Sequence, residues 1–579
     1  MPTYARFDDL RPLRRHSFDL SDTFDSAEAS NLDEVESVLS WAEEEVADGR
    51  WVAGFVAYEA ASAFDPAMET NQPIPGLPLA WFASFRRRNL PVMVPSGRYT
   101  LGEWSSQIDP EQYRSSFREI QTLIKAGDTY QVDYTFRTEA KLQGDPRSFY
   151  EALIRSQSCG YGAFIDAGRW KIISASPELF FEWHNQTLVC KPMKGTAQRG
   201  TNVADDEERR FQLLASEKNR AENLMIVDMV RNDMGRVCEI GSIEVPEIFT
   251  IEKFDTLWQM TSTVKGRTGR NTTLGEVFKS LFPCASVTGA PKISAMKAIR
   301  RLEPDPRGVY CGAIGFGEPD RRGNPRWVFS VGIRTVLLDT RLRQASYGTG
   351  GGITYDSNWE EELAEAALKT TVLETRFSDF SLLETMRYPE DTGILLRELH
   401  LERLSSSAEF FGIPIDISQI DTLLDSISRP CLVRLTVDRT GEPRVSTHPL
   451  PLPSKPKLAI DDRPIDLSDL FLAHKTTNRM RYQEALKRFP GTEDVVLWNR
   501  DGNVTETCIG NLAVLLNGEW ITPPLADGCL PGVMRRELLR KNQLIEGSFP
   551  VEALREAAEI ARFNSVRGWE PAEMIVQTS

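Results

Sequence analysis

The chain has 579 residues, more than one hydrophobic core holds and enough for two or more domains. Hydrophobic residues make up 41% and charged residues 26%, the balance of a folded rather than a disordered chain. A formal net charge of -15 opposes general attraction to phosphate backbones, so no nucleic acid partner is expected despite the Arg86, Arg87, Arg88 cluster.

The opening MPTYARFDDL has no apolar signal core, and the stretch WVAGFVAYEA is short and interrupted by Glu59. Neither export nor a membrane span is expected, and the cytoplasm is the expected location. Eight cysteines lie far apart without a Cys-x-x-Cys pair, so they read as reduced, packed thiols. None of the five histidines pairs with another at helical metal-ligand spacing, and no zinc site is expected.

From about residue 100, β-like runs (FFEWHNQTLVC, RWVFSVGIRTVLL) alternate with helix-like ones such as DPEQYRSSFREIQTLIKAG, whose Pro110 suits a first helical turn. This is an α+β pattern. SEKNRAENLMIVDMVRND reads as a helix whose apolar face carries Leu224, Met225, Val227, Met229 and Val230, with Glu222 at its start. YGTGGGITYDS reads as a glycine-rich turn between strand and helix, open to an anionic group but matching neither the dinucleotide fingerprint nor a P-loop. NWEEELAEAALKTTVLETRF is helical, and a polar break at Ser378 and Asp379 marks the main boundary. Four prolines in HPLPLPSKPKLAI then suit an extended connector between two smaller lobes. The expected domains are 1–100, 101–378, 379–455 and 456–579.

Lys194 follows a probable strand and precedes a Gly-Thr turn, where burial would make its amine nucleophilic; a solvated turn lysine fits the local pattern as well. Glu362 and Glu365, three apart, share a helical face and could present two carboxylates to one magnesium ion or simply form a solvated acidic face.

The motifs SPELFF, KPMKGT, AENLMIVDMVRND, SVTGAPKISAM, YCGAIGFG, SVGIRT and GGGITYDS occur in the order found in chorismate-utilising enzymes. Residues of about 100–375 resemble the large component of aminodeoxychorismate synthase, whose relatives include anthranilate and isochorismate synthases. The resemblance implies a large β-sandwich flanked by helices. It makes Lys194 the nucleophile at C2 of chorismate, where anthranilate synthases carry alanine, and Glu178 the general acid at the C4 hydroxyl. Gln131 stands where isochorismate-type enzymes have a water-activating lysine. Glu222 with Glu365 would bind Mg2+, Glu362 lying beside them, and Thr288, Tyr310, Arg334 and the amides of Gly350 and Gly352 would contact the substrate carboxylates. Met193, Cys284, Ala285 and Gln259 depart from the usual pattern. No Gly-x-Cys-x-Gly turn is present, which implies a separate glutamine amidotransferase subunit as ammonia source.

Further on, LLETMRY and LLRELHLERLSSSAEFFGIP read as a strand and an amphipathic helix, with His400 and Arg403 on one side. FLAHKTTNRMRYQEAL places Lys475 at a strand-to-helix junction, and VVLWNRDGNVTETCIG reads as a hairpin turning at Asp501-Gly502 with Glu506 on the return. Residues 381–579 resemble fold type IV pyridoxal-phosphate enzymes, two-lobed α/β domains, and among them 4-amino-4-deoxychorismate lyase. The resemblance implies pyridoxal 5'-phosphate held through Lys475, with Glu506 on the ring nitrogen. Arg403, the amides of Gly532, Val533 and Met534, and Asn564 with Ser565 would form the phosphate cup, with Thr385 assisting near the leaving group. Aminotransferases share this lysine and acid, and the class allows a homodimer through this domain. Together the two halves would turn chorismate through aminodeoxychorismate into p-aminobenzoate and pyruvate.

Overall fold

The computed structural model describes residues 3–11, 16–91, 99–106, 108–157, 159–254, 257–320, 324–370, 373, 380–390, 392–467 and 469–575. Its chain divides into two compact units, residues 1–198 with 210–377, and 199–209 with 378–579. The junction expected at Ser378 and Asp379 lies outside the described residues. Both units mix helices with β-sheet, an α+β architecture. Among the described residues no helix is long and apolar enough to cross a membrane.

The first unit is built on a continuous antiparallel ladder. It runs from strand Leu257–Arg267 through Thr187–Lys191, Leu179–His184, Arg326–Val331 and Ala313–Glu318 to Trp51–Val56 and Ala80–Asn89. From there it continues through His16–Ala29, Tyr4–Asp9, Tyr161–Ala167, Trp170–Ser176 and Thr335–Asp339 to Gln344–Ile353 and Gln131–Gly144. Alternating buried residues such as Ala5, Phe7, Phe55, Phe85, Ile165 and Ile172 form one core against this sheet. Phe181, Phe278, Phe282, Trp327 and Phe329 belong to a larger one under the helices.

The helix at Pro110–Ala126 forms as its sequence implies. Asp109 caps it by accepting from the amides of Glu111 (2.7 Å) and Gln112 (3.1 Å), Pro110 occupies the first turn, and Gly127 ends it at φ 83°. Two readings change. Helix Glu217–Met234 buries Asn223, Ile226, Val227, Val230 and Met234 but leaves Leu224 exposed, so its inner face is rotated and partly polar, and Glu222 lies in its second turn. The glycines 348, 350, 351 and 352 are not a turn but the interior of strand Gln344–Ile353, with Gly350 opposite Thr135, Gly351 opposite Tyr134 and Gly352 opposite Asp133.

In the second unit a three-stranded antiparallel sheet (Leu382–Tyr388, Cys431–Val437, Pro443–His448) packs under helix Arg397–Phe411. Residues 449–456 contain no helix or strand and lead to Lys457–Ile460, part of an eight-stranded mixed sheet. Strands Asp494–Trp498 and Val504–Thr507 pair as the expected hairpin, placing Glu506 on the return.

Candidate active sites

In the first unit the Lys194 amine is aimed by a strand irregularity. Strand Met193–Gln198 pairs with Leu257–Arg267, and the register shifts between Met193 and Thr196, a bulge holding Lys194 and Gly195. Lys194 therefore lies within a strand rather than ahead of a turn. Gly195 adopts φ 90°, and a Cβ there would press on Asn219 at 3.0 Å. The bulge is tied down by Gln259, whose Nε2 donates to Gly195 O (2.8 Å), and by Asn223 Nδ2 donating to Lys194 O (3.5 Å). Asn223 is held in turn by Ser262 Oγ at 2.6 Å.

The glycine strand faces this amine. A Cβ built on Gly352 would lie 3.0 Å from Lys194 Nζ and 2.2 Å from Gln131 Nε2, so glycine is what lets both side chains reach this backbone. Gln131 is 1% exposed, and its Oε1 is buried without a hydrogen-bond partner. A Cβ on Gly351 would meet Glu362 Oε2 at 3.0 Å, and Lys369 Nζ donates to Gly350 O at 2.8 Å.

Glu178, between strands Trp170–Ser176 and Leu179–His184, is 2% exposed. Burial lifts its carboxyl to about 7 against the hydrogen bond from Ser286 and the charge of Lys194. A carboxyl so placed is partly protonated at neutral pH and can give up that proton. Cys284 Sγ lies 4.0 Å from Glu178 Oε1.

The three expected magnesium ligands are not gathered. Among the described residues no group of three or more His, Cys, Asp or Glu is placed to hold a metal ion. Glu222 is on a separate helix from Glu362 and Glu365. Burial and the charge of Glu365 raise the Glu362 carboxyl, whose Oε1 accepts from Ser357 Oγ (2.8 Å). Burial opposes ionisation of Glu365, but Lys369 at 2.9 Å outweighs it and holds that carboxyl below its usual range. Two like-charged carboxylates on one helix, one of them raised, fit a cation that takes one or two carboxylates plus water and substrate.

Of the remaining positions, Thr288 is fully buried and spends its hydroxyl on Ala285 O (3.2 Å) and Cys284 O (3.3 Å), while its carbonyl accepts from Asp133 N (2.8 Å). It shapes the loop rather than presenting a free hydroxyl. Tyr310 lies against Gly348, where a Cβ would be 2.3 Å from its ring. Arg334 adopts φ 50° where the chain passes between strands, and burial pushes its guanidinium down.

In the second unit Lys475 follows a 3-10 turn at Leu470–Leu472 instead of a strand, and helix Met480–Arg488 begins five residues later. Its carbonyl accepts from Leu383 N (3.0 Å), which docks the segment on the edge of strand Leu382–Tyr388. Burial and the cations Arg403 and Arg479 bring the amine down to about 8. Glu506, 3% exposed, is lifted by burial to about 7; its Oε1 accepts from Tyr482 Oη (2.8 Å) and its Oε2 from Leu530 N (3.1 Å).

Arg403 is clamped by Glu384, with Nε to Oε1 at 2.8 Å and Nη2 to Oε2 at 2.6 Å, while Nη1 donates to Pro531 O at 3.2 Å. His400 Nδ1 meets the same carboxylate at 2.6 Å, and its buried Nε2 has no partner. Burial alone would raise Glu384, but Arg403 and His400 hold it at about 2.

Pro531 leads into Gly532, which caps helix Val533–Arg540; a Cβ there would lie 1.8 Å from Asn511 Oδ1. The Gly532 amide is already bonded to Leu530 O (2.7 Å), leaving the amides of Val533 and Met534 as first-turn donors. The Met534 side chain packs against Ala513, Leu544 and Phe563 and adds no polar contact. Asn564 spends its carboxamide oxygen on its own turn, accepting from the amides of Val566 (3.0 Å) and Arg567 (2.9 Å), and Ser565 beside it is half-buried. Thr385 shares a strand face with Leu383 and Arg387, opposite that of Glu384, and Arg387 Nη1 donates to Val566 O (3.4 Å).

A half-buried amine, a buried acid, a helix N-terminus with an aligned arginine, a glycine position that a Cβ would fill and an orphaned imidazole nitrogen fit pyridoxal phosphate. Glu384, Tyr482, Arg479 and Leu530 complete this set and carry no motif of their own. Their signal is tertiary.

Comparison with known proteins finds a different family in each half of the chain. Residues 89–375 match the chorismate binding enzyme family, and residues 381–575 match amino-transferase class IV. The chain is 37% identical over 266 residues to aminodeoxychorismate synthase component 1 of Salmonella typhimurium, covering 45% of this chain and 56% of that protein. It is 33% identical over 295 residues to anthranilate synthase component 1 of Streptomyces coelicolor, covering 51% of this chain and 56% of the relative. The chain thus spans little more than half the length of these relatives. The crystal structure of anthranilate synthase component I from Streptococcus pneumoniae shares the fold, with a TM-score of 0.52 at 24% identity over 65% of this chain and 91% of that one. Residues 89–375 thus form a chorismate binding enzyme domain and residues 381–575 an amino-transferase class IV domain, joined in one chain.

Proposed function

We propose that the chain makes p-aminobenzoate in two consecutive steps, one in each unit. In the first, Lys194 Nζ adds to C2 of chorismate while Glu178 protonates the departing C4 hydroxyl, which leaves as water. Ammonia then adds at C4, and the C2–Nζ bond breaks to free the lysine and give aminodeoxychorismate. Glu362 and Glu365 would hold Mg2+, which supplies charge neutralisation for a substrate carboxylate. A glutamine amidotransferase partner supplies the ammonia. What supports this reading above all is the glycine strand that admits Lys194 Nζ, in the electrostatic company of a Glu178 carboxyl raised to about 7.

In the second step pyridoxal phosphate, held at Lys475, supplies an electron sink for the carbanion left when the C4 proton is removed. The Lys475 amine, brought down to about 8 by burial and neighbouring cations, is suited to take that proton. Glu506 would accept from the ring nitrogen, and Arg403 with the Val533 and Met534 amides would hold the phosphate; the C3–O bond then breaks to release enolpyruvate, which becomes pyruvate, and leaves the aromatic amine. The product of the first reaction is the substrate of the second. That continuity favours lyase chemistry, while membership of the class IV family supports a second reading, amino-group exchange with a keto acid through the same Lys475 and Glu506.

Purified protein given chorismate, MgCl2, ammonium chloride and pyridoxal phosphate should form p-aminobenzoate and pyruvate. Formation of the ortho isomer would overturn the first assignment. Amino-group exchange without pyruvate release would overturn the second. Lys194→Ala should abolish aminodeoxychorismate formation, and unchanged para product in that variant removes the lysine from the mechanism.

A further inference from the structure

Tyr482 and Glu506 are 24 residues apart in sequence, yet the phenol donates to Oε1 at 2.8 Å. Leu530 N takes the other oxygen at 3.1 Å, so both carboxylate oxygens are fixed and the plane of the group is set. Tyr482 is itself held from above. The Arg479 guanidinium lies 4.8 Å over its ring and donates to Cys508 O, two residues beyond Glu506. The ring's apolar part packs with Ile465, Leu472, Val495 and Leu497, leaving the hydroxyl as the only polar atom it brings into the site.

Resting on the pyridoxal phosphate reading above, we propose that Tyr482 is a positioning residue for Glu506, a hydroxyl that keeps this buried acid ionised and aimed so that it can accept from the cofactor's ring nitrogen. The physical need is plain. An acid buried this deeply tends to protonate, and a protonated acid is a donor that no longer balances a charged ring. One hydrogen bond from a neutral hydroxyl and one from an amide favour the anion without adding a competing positive charge beside the ring. Arg479 assists through the ring and the Cys508 carbonyl, at a remove from the carboxylate oxygens.

The test is a double-mutant cycle on the full chain, read as the dissociation constant of pyridoxal phosphate and as the pH at which the visible band of the bound cofactor changes. Tyr482→Phe keeps the packed ring and should weaken binding about tenfold, the value of one hydrogen bond to a charged group, and shift the spectral transition upward in pH. In the Glu506→Gln background the same substitution should change neither quantity. An equal loss in both backgrounds overturns the proposal, because a merely structural tyrosine would cost the same whatever residue 506 is. Thermal unfolding of each variant without cofactor checks that folding is not the cause. If the unaltered chain develops no visible band with pyridoxal phosphate, the cofactor reading itself fails, an outcome separate from any effect of Tyr482.

Discussion

Glu178 concentrates the residue-scale argument, since the same burial that suits it to donate a proton makes it a liability to the fold. Its folded value of about 7 lies above the ordinary 4.5, so between those values the folded chain binds a proton that the unfolded chain has released. Stability therefore falls as pH rises through that window and stays lowered above it. Glu178→Gln removes the titration. The variant should melt higher than the parent at pH 8 and closer to it at pH 5, by a difference on the order of 3 kcal/mol at most. The same variant should lose at least about 100-fold in aminodeoxychorismate formation, since the amide cannot donate as the acid does. A pH-independent difference in melting temperature would show that residue 178 ionises normally and is no buried acid.

At the scale of elements, the strand Gln344–Ile353 carries the first site through what its glycines leave out. At Gly352 an added methyl meets the ends of two flexible side chains, Gln131 Nε2 and Lys194 Nζ, which can move aside. Gly352→Ala should leave the melting temperature nearly unchanged while displacing the amine, and a misplacement of about 1 Å costs roughly 100-fold in rate. At Gly350 the methyl would instead meet the Tyr134 backbone carbonyl at 2.2 Å, so Gly350→Ala should lower the melting temperature as well. Equal thermal effects of the two substitutions would refute this division of roles. This strand also marks the limit of what could be read from sequence. Clustered glycines signal a turn by local propensity, whereas here they admit side chains from Gln131 and Lys194, more than 150 residues upstream, and only the tertiary pairing with Gln131–Gly144 reveals it. Helix Pro110–Ala126 and the hairpin carrying Glu506 were legible because their signals are local: a cap, a proline, a turn dipeptide, an alternating pattern. Lys194, Lys475 and Glu506 were singled out as candidates through motifs. Glu384 and Tyr482 were not, since their contacts with Arg403 and Glu506 span 19 and 24 residues and leave no periodic trace.

For the molecule as a whole, the residues named for the two proposed steps fall in separate units. Glu178, Lys194, Glu362, Glu365 and the glycine strand all belong to the first unit, and Lys475, Glu506, Arg403, Glu384 and Tyr482 all belong to the second. Among these residues, each proposed step therefore draws on one unit alone. Lys475→Ala should then accumulate aminodeoxychorismate from chorismate and ammonia, and Lys194→Ala should still convert supplied aminodeoxychorismate to p-aminobenzoate and pyruvate. Mixed in equal amounts, the two variants should restore p-aminobenzoate formation after a lag, because the intermediate made by one chain can diffuse to the second unit of another. The lag should shorten as total protein concentration rises, the behaviour of a transfer through bulk solvent. A lag that does not change with protein concentration would overturn transfer through bulk solvent.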